Sequence, residues 1–154
     1  MTIAMILSHK GQDVYRVSPG STVATVVAVL ARHKIGAVLV LDEAAPRFDA
    51  DIQHIVGIVS ERDIVRALTT AGSAGDVLDM AVSQIMTEAR HTIHASATLR
   101  EAAELMTDRR VRHLPVIEDD KLVGMVSIGD VVKARLDQQE TEVESLRAYV
   151  AGCV

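Results

Sequence analysis

Tryptophan is absent from this chain, and its aromatic residues are only Tyr15, Phe48 and Tyr149. Base stacking on aromatic side chains and neutralisation of phosphates by basic charge carry nucleic-acid affinity, so three rings and a net charge of −5 argue against such a partner. Long apolar runs are also missing. Val26 to Ala31 and Val38 to Leu41 fall far short of the roughly 18 residues a spanning helix needs. Met1 to Lys10 carries its lysine after the apolar stretch and lacks a small-residue cleavage site, so it is not expected to be a secretory signal, and no membrane association is expected. The one cysteine, Cys153, cannot close an intrachain disulfide, which fits a reducing cytoplasm. A penultimate residue frays too readily to serve as a held nucleophile. What the chain does have is 49% hydrophobic residues over 154 positions, enough for a core of Val, Ile, Leu, Ala and Met.

That apolar material is organised as an internal repeat. Val17-Ser18-Pro19-Gly20-Ser21-Thr22-Val23 aligns with Ile93-His94-Ala95-Ser96-Ala97-Thr98-Leu99, and the same offset of 76 carries Ile35-Gly36-Ala37-Val38-Leu39-Val40 onto Val111-Arg112-His113-Leu114-Pro115-Val116. Val56-Gly57-Ile58-Val59-Ser60-Glu61-Arg62-Asp63 then aligns with Val123-Gly124-Met125-Val126-Ser127-Ile128-Gly129-Asp130 at an offset of 67, so the first copy holds nine extra residues between Leu41 and Ile55.

Each copy reads as β-α-β-β-α. A short extended segment, Val14 to Val17 or Thr92 and Ile93, leads to an N-cap threonine, Thr22 or Thr98, and Thr98 with Glu101 forms a capping box. The helix that follows is expected to bury Val23, Val26, Val27 and Leu30 in the first copy and Leu99, Ala102, Ala103 and Met106 in the second. Ala37 to Leu41 with Ile55 to Val59, and Leu114 to Ile117 with Leu122 to Val126, read as strand pairs, and a second helix starts at Ser60 or Ser127. Neither copy can cover both faces of its sheet alone, so an α/β fold of two units packed sheet to sheet about a pseudo-twofold axis is expected. Ala71 to Gly75 reads as a flexible break, Val82 to Met86 as an amphipathic turn leading into the second copy, and Ile3 to Leu7 as its counterpart. Boundaries follow at 1–75, 76–136 and 137–154. In the last segment Val132, Leu136, Gln139, Val143, Leu146 and Val150 are spaced 4, 3, 4, 3, 4, a seam that either wants a partner helix or folds back on its own domain.

The chemistry centres on a Ser/Asp pair closing each repeat, Ser60 with Asp63 and Ser127 with Asp130. Such a pair can be a capping box and nothing more. It can also present a helix N-terminus to phosphate and a carboxylate to two ribose hydroxyls. The spacing alone leaves both open. Arg109 and Arg110 read as complements to a helix C-terminus, solvated. His91 and His94 lack the carboxylate or thiol company of a metal site, and none is expected.

Taken together, the Gly-x-x-Ser-x-x-Asp closures, the two strand motifs and the lead-in Val82-Ser83-Gln84-Ile85-Met86-Thr87 resemble the CBS-domain pair, or Bateman module, named after cystathionine β-synthase. The resemblance covers nearly the whole chain and is strongest to small stand-alone bacterial proteins of one pair, some labelled after inosine monophosphate dehydrogenase. The catalytic barrel of that enzyme has no room in 154 residues.

The resemblance implies a tandem CBS pair that binds AMP, ADP, ATP, NAD or S-adenosylmethionine between its repeats, as a cytoplasmic regulatory sensor without catalysis of its own, and as a homodimer. It implies ribose contacts from Asp63 and Asp130 and phosphate contacts from Ser60 and Ser127. Arg62, which has Gly129 as its counterpart, is assigned to phosphate with Arg112 and His113. Adenine is expected against strand residues around Ala37 to Leu39 and His113 to Pro115. The rival readings are a protein-interaction module with empty clefts and a weak nucleotide hydrolase.

Overall fold

A computed structural model describes residues 1–45 and 50–153. Positions 46–49 of the nine-residue insertion, Phe48 among them, lie outside the described residues. The first repeat comprises β1 (Arg16–Val17), α2 (Val23–His33), β2 (Ala37–Leu41), β3 (Ile55–Ser60) and α3 (Glu61–Thr70), preceded by α1 (Ile3–Lys10). A short α4 (Ala74–Asp79) and a 3-10 turn at Val82–Gln84 lead to β4 (Ile93–His94), α5 (Leu99–Arg109), β5 (His113–Glu118), β6 (Lys121–Ser127) and α6 (Ile128–Gly152).

The two sheets have one topology and one register. β1 runs parallel to β2, and β2 antiparallel to β3; β4, β5 and β6 repeat this order. Val17 pairs Val40 as Ile93 pairs Val116, and Ala37 pairs Ser60 as His113 pairs Ser127. Both hairpins shift register at the matching place, between Val40 and Leu41 and between Val116 and Ile117. A shared bulge turns both strand ends alike, as a duplicated unit requires. The second hairpin closes on Asp119 and Asp120, both at positive φ (49° and 60°), the backbone of a two-residue primed turn.

All five residues of β2 are buried because both faces of its sheet are covered. Val38 and Val40 join Val26, Leu30 and Val59 under the helices, while Leu39 and Leu41 pack with Leu122 and Met125 of the other repeat. Backbone bonds from Ile52 N to Asp120 O (2.8 Å) and from Leu122 N to Ala50 O (2.9 Å) tie the end of the insertion to β6. Val27, expected in the core, is 38% exposed. The apolar stripe of α2 is therefore wider than the sheet it meets. The stretch Ala71 to Gly75 is a turn into α4 rather than a free break. Ser73 Oγ accepts the Asp76 amide at 3.1 Å, and Val77 is fully buried beside Val23 and Ala67.

The lead-in segments are exchanged between the repeats. Ile3, Ile6 and Leu7 of α1 sit in the core of the second repeat with Leu99, Leu114 and Val126. Ile3 N and Ala4 N donate to Ala97 O and Ala95 O at 2.9 and 2.8 Å. In return Val82, Ile85 and Met86 pack in the first repeat, where Val82 N donates to Ser21 O at 2.8 Å. Two glycines make this possible. A Cβ on Gly57 would stand 2.7 Å from Met86 Sδ and 3.0 Å from Thr87 O, and one on Gly124 would stand 2.8 Å from both Leu7 Cδ atoms.

Candidate functional site

Because the lead-ins cross, each Ser/Asp closure meets the loop before the central strand of the opposite repeat. Two related cavities result. The first, about 150 Å³, is lined by Ser60, Arg62, Asp63 and Arg66 from the first repeat, by Thr87 to His91, and by Arg110 to His113 from the second. The second, about 350 Å³, joins Ser127 and Asp130 to Lys34 through Ala37, Lys10, Tyr15 and His113.

The first closure is a buried cap. Ser60 N and Ser60 Oγ donate to Asp63 Oδ2 at 2.8 and 3.0 Å, and Thr87 Oγ1 donates to Oδ1 at 2.8 Å. Asp63 is only 5% exposed. Each carboxylate oxygen has two acceptor positions, so Oδ1 keeps one for a further donor while Oδ2 is filled. Around this cap stand five arginines. Arg66 lies 3.7 Å from Asp63 Oδ1 and Arg90 lies 2.6 Å from Glu88 Oε2. Arg62, Arg110 and Arg112 have no carboxylate partner among the described residues, so this cavity carries an excess of positive charge.

In the second closure Ser127 N and Oγ donate to Asp130 Oδ2 at 2.7 and 2.9 Å, and Ser127 Oγ accepts the Asp130 amide at 3.2 Å. Here Lys10, at the end of α1, meets the counterpart of the carboxylate that Thr87 meets in the first cavity, but on the oxygen that the cap also holds: its Nζ lies on Asp130 Oδ2, with a second bond of 3.1 Å to Met125 O. Burial would push the Asp130 carboxyl up, but the hydrogen bonds from Lys10 and Ser127 outweigh it and hold the group below its ordinary value. Lys10 and Lys34 face Asp13 and Asp130, so this cavity has no excess charge. Tyr15 lines it with its ring stacked on His33, centroids 3.9 Å apart.

His113 reaches both cavities. Burial, then the nearby Arg112 and Lys10 charges, press its pKa below the ordinary histidine value against the opposing pull of Asp130 and Glu61. It is neutral near pH 7.

Ser60, Arg62, Asp63, Arg112 and His113 thus line one cavity, and Ser127, Asp130, Ala37 and His113 the other. Leu39 and Pro115 line neither; both are buried, Leu39 fully, in their strands. Arg110, read from sequence as a solvated helix end, caps α5 at φ 53° and lines the first cavity. Lys34 holds the equivalent position after α2, also at φ 53°. Thr87, Arg66 and Lys10 escaped the sequence reading. Thr87 ends the lead-in motif that begins at Val82, and the place of Lys10 depends on the crossing of α1. Among the described residues no cluster of three or more His, Cys, Asp or Glu could hold a metal ion, and His94 Nδ1 is engaged with Ser96 Oγ at 3.0 Å.

A pair of duplicated β-α-β-β-α units, sheets face to face and closures pointing into two inter-repeat cavities, is the architecture of a CBS pair. The chain belongs to the CBS-domain family, whose profile matches residues 10–70 and 82–137. It is 33% identical over 157 aligned positions to a mitochondrial CBS domain-containing protein of Arabidopsis thaliana, covering 98% of this chain and 72% of that protein. A CBS-domain protein of Agrobacterium tumefaciens is 37% identical, with a TM-score of 0.77 over 88% of this chain and 99% of that one. A CBS domain protein of Pyrobaculum aerophilum, solved in complex with AMP, is 26% identical, with a TM-score of 0.68 over 84% of this chain and 89% of that one. Among the described residues no helix is long and apolar enough to cross a membrane.

Proposed function

We propose that this chain is a non-catalytic sensor that binds an adenosyl nucleotide, among AMP, ADP, ATP and NAD, in the first cavity, and works as a cytoplasmic homodimer. One observation carries this reading: Arg62, Arg110 and Arg112 converge without carboxylate partners on the N-terminus of α3. Unpaired guanidiniums beside the positive end of a helix dipole are a site for phosphate, and Asp63 Oδ1 retains an acceptor position for a ribose hydroxyl. The AMP complex of the Pyrobaculum protein supports the same ligand class. The second cavity, with its charges balanced, suits a ligand carrying less negative charge. Exposed Val27, Val65, Leu68, Val132 and Leu136 on the helices of the two repeats supply apolar surface for a second copy.

A thermal-shift screen tests the ligand class. At a hundred times Kd a ligand stabilises by about 2.7 kcal/mol, which moves the midpoint by roughly 2–4 °C per kcal/mol for a chain of this size. Phosphorylated adenosyl compounds should raise Tm. A flat response to all of them would contradict the proposal, and turnover of ATP above background would favour the hydrolase reading.

A further inference from the structure

The feature that nucleotide binding leaves unexplained is α6. Its 25 residues span about 37 Å at 1.5 Å per residue, yet its buried side chains, Val131 and Ala134, lie in its first two turns. Every described residue from 140 onward is exposed. A helical segment of about a dozen residues without tertiary cover is marginal in water, so the distal half of α6 needs a partner.

The pattern along the whole of α6 says which partner. Val132, Leu136, Val143, Leu146 and Val150 are 52%, 55%, 45%, 64% and 65% exposed, and with Gln139 they follow the alternating 4 and 3 spacing of a heptad seam. Cys153, exposed and three residues beyond Val150, extends the same seam. A repeat of 3.5 residues keeps one stripe facing a second helix that supercoils with it, and two identical helices meet that demand together. We infer that α6 pairs with α6 of a second copy of this chain as a parallel, in-register two-stranded coiled coil. This rests on the homodimer proposed above and specifies where and how it forms.

The flanking charges choose the direction. In a parallel pair each residue preceding one seam column meets the residue following the other column, five positions on. Arg135 then faces Glu140 of the partner subunit, and Glu142 faces Arg147 of the partner subunit, both attractive. A fully overlapping antiparallel pair would instead set Lys133 against Arg147 of the partner subunit and Glu140 against Glu140 of the partner subunit. Within its own chain Arg135 makes one 3.4 Å bond to Gln138 and Glu142 accepts one of 3.1 Å from Gln138, both exposed, while Glu140 and Arg147 make none among the described residues. Gln139 facing its own copy across the seam fixes the register, as one buried amide does in two-stranded coils.

Light scattering on the full chain, combined with oxidation at Cys153, tests this. The wild type should have twice the 16.6 kDa chain mass, and Val143→Asp with Leu146→Asp should weaken association at least 100-fold while leaving Tm of the body unchanged. Mild oxidation should link the wild-type dimer through Cys153 quickly and independently of dilution, and Cys153→Ser should abolish the link. A monomeric wild type overturns the inference. A dimer indifferent to the two aspartates also overturns it, while leaving the homodimer on the other helix faces. A dimer that those substitutions dissociate but that does not cross-link overturns the parallel direction. None of these outcomes bears on nucleotide binding, which is read separately.

Discussion

Lys10 and Asp130, 120 residues apart in sequence, form an ion pair in the second cavity, whereas Asp63, the counterpart of Asp130, is met by Thr87 in the first. The two closures are therefore the same cap with different lids. One lid is a neutral hydroxyl and leaves Arg62, Arg110 and Arg112 for an anion. The other is a cation that cancels the carboxylate beneath it.

The Lys10 lid has a pH signature. Asp130 is held below the ordinary aspartate value of 3.8, so the stability it contributes is present above that value and is lost as pH falls through its lower folded-state value. Lys10→Ala should cost about 0.2–1 kcal/mol at pH 7, the range for a partly exposed pair, and progressively less as Asp130 protonates. Urea denaturation of both proteins at pH 7 and pH 2.5 checks this; an undiminished difference in acid would mean that Lys10 acts through packing.

His113 should couple phosphate binding to proton uptake. Its folded pKa is depressed, so the unfolded chain binds more protons below about pH 6.5, and acidification through that range destabilises the free protein. A phosphate beside Arg112 and His113 would favour the imidazolium. AMP should therefore bind more tightly at pH 6 than at pH 8, and titrations in buffers of different ionisation heat should report proton uptake that His113→Gln removes.

Asp63 and Asp130 should differ in structural cost. Loss of a cap costs about 0.5–2 kcal/mol, and Asp63→Ala also strips the part-buried Thr87 hydroxyl of its partner, adding about 1–3 kcal/mol. Asp130→Ala releases only the half-exposed Lys10. Chemical denaturation should rank Asp63→Ala as the more damaging; equal losses would show that the Thr87 contact contributes nothing.

Gly57→Ala should damage the first cavity through its wall. The new methyl meets Met86 Sδ and the Thr87 carbonyl, which is held by the bond from Ile58 N at 2.8 Å, so the lead-in has to move. Overpacking of this kind costs about 1–3 kcal/mol. Nucleotide affinity should fall with stability. Gly124→Ala, which meets the ends of a leucine side chain, should destabilise the protein and spare the first cavity. If both variants bound nucleotide like wild type, Thr87 would not matter to the ligand.

Much of this architecture was legible in the sequence because it is local or repeated. Thr22, Thr98, Ser60 and Ser127 announce helix starts by their own hydrogen-bonding chemistry, and the alignment of Ala37 to Leu41 with His113 to Ile117 fixes the equivalence of the strands. The exchange of the lead-ins was not legible. The apolar face of Ile3, Ile6 and Leu7 shows that α1 is buried but carries no address, and the fit of Leu7 against Gly124 appears only in three dimensions. The same crossing hid Lys10. Arg110 is exposed at the end of α5, as its local chemistry suggests, but its place beside the cavity depends on the opposite repeat and could not be read from the helix alone. Leu39 alternates with Val38 and Val40, and in a sheet covered on both faces that alternation cannot separate a cavity wall from the seam between sheets.

The central claim, that unpaired guanidiniums of the first cavity hold the phosphates of an adenosyl ligand, is tested most directly by calorimetric titration of ATP and adenosine into wild type, Arg62→Ala and Arg112→Ala. A charge-assisted hydrogen bond contributes about 1.5–3 kcal/mol, so each substitution should weaken ATP by roughly 10- to 150-fold and leave adenosine, which has no anion, nearly unchanged. Equal losses for ATP and adenosine, or no binding of either to folded wild-type protein, would contradict the account.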